Sequence, residues 1–374
     1  MSEPIQISVL IKSANYVYEI GKALFPNLKK LLAVKKSDEF LNYDPAFLIG
    51  NYTSEHPIVN GVPYSEVINW LGRSFDKVEQ IDNRVEITMA RTNFQISEGK
   101  GAWSALQADG FVALKNSGRI KGNEPSIRLY EIHREGNKIL MRVRLASYHD
   151  QAKSNLILDW HHPKDSKHDK TTLRTLLTNQ YGGNLPPFSD KRLANTIGIA
   201  SLLFYKEDDQ WIPYLVRRTK KVGVFPGGLH CTASGVAKWP DITQGVSFSN
   251  FFLKHMYSEF EEEVGLTEKD IADLRPIALC REFSRGGKPQ LFFAGVTHLS
   301  RESLRKKRKQ ATEVIKELNG WKEIERDQWL RSAHVVVPPA KLMPNIKKLG
   351  LTLEAVGSFH YGMKYLERYG AKFD

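Results

Sequence analysis

Residues 258–266 read Ser258-Glu259-Phe260-Glu261-Glu262-Glu263-Val264-Gly265-Leu266, and they put carboxylates where a helix tolerates them least. Phe252, Met256, Phe260 and Val264 recur at four-residue spacing, which predicts an amphipathic helix, and Gly265 supplies its stop. The acids fall in the last two turns, against the negative end of the helix dipole. Glu259, Glu262 and Glu263, spaced i, i+3, i+4, converge on one face, while Glu261 points elsewhere. No Lys or Arg lies within one turn on that face. Such a cluster costs stability unless a cation occupies it, and hard divalent ions prefer oxygen ligands of this kind. The stretch is read as a metal site, with a solvated acidic helix end as the competing reading.

Upstream, Phe225-Pro226-Gly227-Gly228 follows an apolar strand. Without side chains, a Gly-Gly pair lets backbone groups approach a ligand closely. Glycine loop and acidic helix together resemble the motif of the Nudix hydrolases, Arg-Glu-hydrophobic-x-Glu-Glu-x-Gly-hydrophobic. Residues 258–266 match it at every position but the first, where Ser258 stands for Arg. Two further departures accompany that one. Leu229 to Gly235 contain no acid where the family carries a Glu, and the stretch from Gly228 to Glu259 is about twice the usual length, so a loop is inserted. Losing the arginine and the loop carboxylate together leaves neither charge orphaned. A strand ending Leu145-Ala146-Ser147-Tyr148-His149-Asp150, with Ile127-Arg128-Leu129 before it, is similar to Nudix relatives that cleave UDP-sugars and carry an amino-terminal accessory domain.

The resemblance implies a Nudix-type α/β/α sandwich over residues 191–374 and an accessory α+β domain over 41–190, while the four-residue spacing of Tyr16, Ile20 and Leu24 reads residues 1–40 as a helical extension. It implies Mg2+ (or Mn2+) held by Glu259, Glu262 and Glu263 with the Gly228 carbonyl, and hydrolysis of a diphosphate. For a UDP-sugar the products are UMP and a sugar 1-phosphate. Glu259 is either the acceptor of the attacking water's proton or a ligand. Tyr148 and Asp150 are implied to read the nucleobase, with packing as the other role for Tyr148. Gly227 and Gly228 border the substrate. Arg217 and Arg218, followed by Lys220 and Lys221, end the preceding strand and are candidates to grip the diphosphate, against an exposed strand end. The alternatives are a nucleotide-binding or sensing protein that does not turn its ligand over, and an RNA 5′-end processing hydrolase.

Bulk properties bound these readings. The 374 residues suffice for two domains, and a net charge of +12 favours anionic partners without choosing among them. Two cysteines, Cys231 and Cys280, cannot build a disulfide framework, and with no secretory signal or spanning segment the expected compartment is the cytoplasm. Strands are expected at Val85–Met89, Ser126–Ile132, Lys138–Ala146, Ile197–Tyr205 and Trp211–Arg217, and a strand pair around Arg285–Pro289. Arg134 to Asn137 and Lys206 to Gln210 read as hairpin turns, Lys170–Asn179 and Glu302–Leu318 as helices, and Tyr181–Pro187 as the domain boundary. Arg281 and Lys288 flank the later turn and read as surface residues, with contact to substrate as the other role. Three other features are read blandly: Trp160-His161-His162 with His168 fits no closed zinc pattern, Arg305–Lys309 is a solvated face without interleaved aromatics, and Cys231 is a buried small residue.

Overall fold

The computed structural model describes residues 39–59, 62–70, 79–120, 122–162, 171–218, 228–317, 334–335 and 351–373. The helical extension expected over 1–40 therefore lies almost wholly outside the described residues. The strands are β1 (Pro57–Val59), β2 (Val62–Asn69), β3 (Val85–Met89), β4 (Pro125–Glu135), β5 (Lys138–Ser147), β6 (Gly198–Glu207), β7 (Gln210–Pro213), β8 (Leu215–Arg217), β9 (Leu229–His230), β10 (Ala233–Val236), β11 (Ile271–Glu282), β12 (Lys288–Thr297) and β13 (His334–Val335). The α-helices are α1 (Pro45–Asn51), α2 (Glu79–Asp82), α3 (Ala102–Asn116), α4 (Tyr148–Ala152), α5 (Leu173–Tyr181), α6 (Lys254–Val264), α7 (Arg301–Lys309), α8 (Thr312–Glu317) and α9 (Leu353–Tyr369).

A mixed α/β architecture results. The main sheet runs β1-β2-β11-β12-β6-β10, with β7 also on β6. Only the β12–β6 pairing within it is parallel. Every residue of β12 is buried, as a strand covered on both faces requires. Alternation divides its neighbours between two cores. Ile199, Leu203, Leu291 and Phe293 join Met256, Phe260 and Val264 of α6. Ala200, Leu202, Phe204 and Phe292 join Val356, Phe359 and Tyr361 of α9. The sheet is thus sandwiched between the acidic helix and the carboxy-terminal helix.

Local sequence explains the elements that matter. The apolar stripe of the acidic helix is fully buried, and Gly265 ends the helix in the left-handed region at φ 71°. Leu266 N–H reaches back to the Phe260 carbonyl at 3.1 Å, the closing bond of a Schellman stop. The inserted loop enters this helix through a wider π-type turn, Ser249–Leu253. Asp208 and Asp209, both at positive φ, turn β6 into β7 as expected, and Glu135 pairs with Lys138 across the β4–β5 turn.

Several expectations need correction. The division at 190/191 does not isolate two sheets: β2 pairs with β11, so residues 57–69 complete the carboxy-terminal sheet. The β3-β5-β4 sheet is itself bonded to it, through Ile127 N–H to the Ala237 carbonyl and Ile197 N–H to the Ile127 carbonyl. The strand expected over Trp211–Arg217 divides at Tyr214 into β7 and β8, which belong to different sheets. The helix expected over Glu302–Leu318 breaks at Gln310–Ala311. Its basic run is not simply a solvated face. Lys307 bonds Asp270 at 2.8 Å, and buried Arg308 donates to the Arg217 carbonyl.

Arg174, on α5, ties the layers together. Its guanidinium is fully buried and makes a bidentate pair with Asp159 at 2.6 and 2.7 Å. It also donates to Tyr52 Oη at 2.8 Å and to the carbonyls of Phe283 and Ser284 at 2.7 and 2.6 Å. Removing one side of such a pair strands the other charge. Arg174→Met is expected to cost about 3–5 kcal/mol of unfolding free energy, read from urea denaturation. An unchanged midpoint and slope would show that Asp159 finds water instead.

Candidate functional site

The acidic helix lies beside β10, and the short residues of that strand let the carboxylates in. Gly235 packs against Glu259 so tightly that an added Cβ would overlap the carboxylate. Ser234 N–H donates to Glu263 Oε2 at 3.0 Å. Glu259 and Glu263 are thereby drawn to one edge of the sheet. Glu262 goes elsewhere: Ser258 Oγ donates to it at 2.9 Å, and Lys238 Nζ stands 3.6 Å away, largely in solvent. The box serine thus binds the carboxylate one turn on. The face without helical cations nonetheless acquires one from the chain following β10.

Electrostatics distinguish the inner pair. Burial pushes the Glu259 carboxyl up to about 8, with Lys238 opposing and Glu262 and Glu313 reinforcing. Burial raises Glu263 well above the usual carboxylate range, and the charges of Glu259 and Glu313 add to it. Glu313, on α8, was not singled out in the sequence, because a single acid on a short helix carries no local signal. Among the described residues, no group of three or more His, Cys, Asp or Glu side chains is disposed to hold a metal ion. Glu259 and Glu263 both pack on β10, whereas Glu262 has Ser258 and Lys238 as partners.

Glu263 opens onto a cleft of about 190 Å³ whose walls include Arg218, His230, Ser234, Tyr148, Glu282, Arg285 and Glu354. The chain brings these together from the start of α4, the residue after β8, β9, β10, the end of β11 with the turn that follows it, and the start of α9. His230 links two of those walls. The Thr352 hydroxyl caps α9 by accepting from Ala355 N–H, and its oxygen also hydrogen-bonds with His230 Nδ1 at 2.6 Å. On its other side the ring hydrogen-bonds through Nε2 with Ser234 Oγ at 2.6 Å. Burial, then the charges of Arg218 and Arg285, hold this imidazole neutral by lowering its pKa well below the usual value. On the opposite wall Arg285 lies 3.4 Å from Glu282, and burial raises Glu354.

The other candidates divide. Arg218 lines the cleft, whereas Arg217, its neighbour on the strand, does not. The Gly228 carbonyl accepts from Arg218 N–H at 2.9 Å, which engages the atom expected to bind a metal, and Gly227 lies outside the described residues. Tyr148 lines the cleft, and burial raises its hydroxyl pKa. Asp150 does not: its carboxylate accepts from Ser147 N–H and Oγ, both at 2.8 Å, in the capping box that starts α4. Arg281 and Lys288 are not surface residues. Arg281 stacks 4.7 Å over Phe188 and donates to the Pro186 carbonyl, and Lys288 is fully buried. Cys231 is buried as expected. Of the histidine group, His162 packs edge-on to Trp160, and His168 lies outside the described residues.

No family model matches the chain, and no curated protein matches it. Solved structures similar to parts of it include a mutT/nudix family protein from Listeria innocua, 14% identical with a TM-score of 0.29 over 48% of this chain and 96% of that one. DR0079 from Deinococcus radiodurans is 14% identical with a TM-score of 0.22, over 28% of this chain and 57% of that one. The NUDIX domain of Shewanella oneidensis NrtR, solved with ADP ribose, is 17% identical with a TM-score of 0.21, over 33% of this chain and 71% of that one. These likenesses are too distant to assign a family.

The buried acids set a pH dependence. A carboxyl with a raised folded pKa keeps a proton that the unfolded chain releases. Its contribution is complete below the ordinary value of 4.5 and is lost as pH rises towards about 8. Without divalent ions, the melting temperature should fall over that interval, and Glu259→Gln should flatten the decline. A slope unchanged by Glu259→Gln would mean that this carboxyl is hydrated.

Proposed function

We propose that the chain is a Nudix-type pyrophosphohydrolase acting on a nucleoside diphosphate linked to a second group, with a UDP-sugar as the favoured substrate. The observation that carries this reading is the pair Glu259 and Glu263, buried on one helix face, raised by burial and Glu263 further by Glu259, beside a cleft that also presents Arg218 and Arg285. Two carboxylates fit Mg2+, which commonly takes one or two from the protein and completes its shell with water and substrate phosphates. Glu259 and Glu263 would hold the ion. When bound, it supplies charge neutralisation at phosphate oxygens and acidifies a coordinated water.

The remaining work falls to side chains of the cleft. Arg218 and Arg285 face the diphosphate and orient it by charge-assisted hydrogen bonds. Ser234 fixes Glu263 through its amide, and neutral His230 fixes the Ser234 hydroxyl, so the carboxylate holds its direction as charge develops. Tyr148, which lines the cleft, would stack on the base. Preference for uridine and for a sugar rests on the resemblance of the stretch Leu145 to Asp150.

One observation favours a second reading. Glu262 is already bonded by Ser258 and paired with Lys238, and a site short of one carboxylate suits a nucleotide sensor. Nucleic-acid binding is less favoured, because Lys307 and Arg308 of the basic run are engaged within the protein.

A substrate panel with Mg2+ separates these possibilities: UDP-sugars, ADP-ribose, NAD, dinucleoside polyphosphates and capped RNA. Turnover of a nucleotide sugar is expected, with kcat reduced roughly 10²–10³-fold by Glu263→Gln. Tight binding without turnover, with or without the metal, would establish the sensor and end the hydrolase reading.

A further inference from the structure

His230 ends β9 and Ser234 lies in β10, so a link of three residues carries the chain from one sheet to another. That link is pinned at its centre. Thr232 Oγ1 donates to the Tyr214 carbonyl at 2.6 Å and accepts from Leu203 N–H at 2.8 Å. The imidazole is held with Nε2 2.6 Å from Ser234 Oγ and Nδ1 2.6 Å from Thr352 Oγ1. His230 is buried, Ser234 is half-buried, and both line the cleft. A hydroxyl open to a cleft, a base within hydrogen-bond reach and a third group orienting that base are the parts of an activated nucleophile.

Either tautomer of the ring satisfies both distances. With the proton on Nδ1, Nε2 is free to accept from Ser234 Oγ–H, and Thr352 Oγ1 has a lone pair for Nδ1–H beside the one given to Ala355 N–H. Arg218 and Arg285 also line the cleft, and the Nε of each is buried with no hydrogen-bond partner among the described residues. Buried donors without acceptors are costly, and an oxygen gaining negative charge in the cleft would satisfy them. Glu354 Oε2 lies 3.8 Å from His230 Nε2, where it offsets the charge of an imidazolium that Arg218 and Arg285 repel. Leu156, Val236 and Leu353 add apolar wall, whereas without a metal Glu263, Glu282 and Glu354 disfavour an anionic guest.

We propose that Ser234 and His230 form a catalytic dyad that hydrolyses a small uncharged carboxylic ester without a divalent ion. This activity does not rest on the diphosphate reading above. Ser234 Oγ bonds to the carbonyl carbon as its proton passes to His230 Nε2, and the carbonyl oxygen takes the electron pair. Return of that pair breaks the bond to the ester oxygen, which leaves as the alcohol with the proton from His230. Water then adds to the acyl group and gives a proton to His230. Ser234 Oγ departs with that proton, so one ester and one water become one acid and one alcohol.

The full chain is treated in EDTA with a fluorophosphonate, whose phosphorus traps activated serines, and the labelled peptide is identified by mass spectrometry. An adduct on Ser234 is expected, absent in Ser234→Ala and formed roughly 10²-fold more slowly in His230→Gln. Hydrolysis of para-nitrophenyl acetate in EDTA should be lost in Ser234→Ala, which keeps the backbone amide bound to Glu263 and removes a single oxygen. That variant carries the test if His230→Gln does not fold. No adduct on Ser234 of the folded wild type, or ester hydrolysis unchanged by Ser234→Ala, would overturn the dyad. Ester hydrolysis in EDTA that needs Ser234, with no diphosphate turned over in Mg2+, supports the dyad and ends the pyrophosphohydrolase reading. Diphosphate turnover in Mg2+ by a protein whose Ser234 stays unlabelled ends the dyad alone.

Discussion

The buried pairing of Arg174 with Asp159 is the constraint on which the rest of the architecture turns. A guanidinium removed from water is tolerated only when every donor has an acceptor, and Arg174 finds them on three separate parts of the chain. Two are the consecutive carbonyls of Phe283 and Ser284, immediately between Glu282 and Arg285. The pair therefore fixes the turn that carries two charged groups into the cleft. It also holds Tyr52, whose ring packs edge-on to Phe283 at 5.4 Å, so the amino-terminal segment and the turn move together.

Within the cleft, charge is arranged in opposed sets. Glu263 projects from the acidic helix, while Arg285, Glu282 and Glu354 come from the opposite wall. The uncharged chain of Ser234, His230 and Thr352 runs between them and carries orientation without adding a charge. A neutral imidazole suits that task, since it donates through one nitrogen and accepts through the other.

Legibility in the sequence followed the range of the interactions. The acidic helix was readable because its stripe repeats locally: Phe252, Met256, Phe260 and Val264 are all buried, and Gly265 stops the helix as expected. The β4–β5 and β6–β7 turns were readable for the same reason. Lys238 was not, because its approach to Glu262 depends on how β10 lies against the helix. Neither was the contact of His230 with Thr352, which joins residues far apart in the chain. Asp150 misled because a capping box uses the same residue types as a polar binding site. Lys288 misled because a lysine beside two glycines looks exposed until three strands close over it.

The pairing of β2 with β11 joins segments from opposite ends of the chain. Such remote pairing must overcome a large loop-closure entropy before any contact is rewarded, so assembly of this sheet is slow compared with that of its helices. During synthesis β2 leaves the ribosome long before β11 exists, and until then its row of peptide groups is an open template for other strands. Val62, Tyr64 and Ile68, all buried at maturity, are solvent-facing apolar groups throughout that interval. Protection of the nascent amino-terminal portion, by a chaperone or by early docking of α1, is thus a requirement that the topology itself imposes.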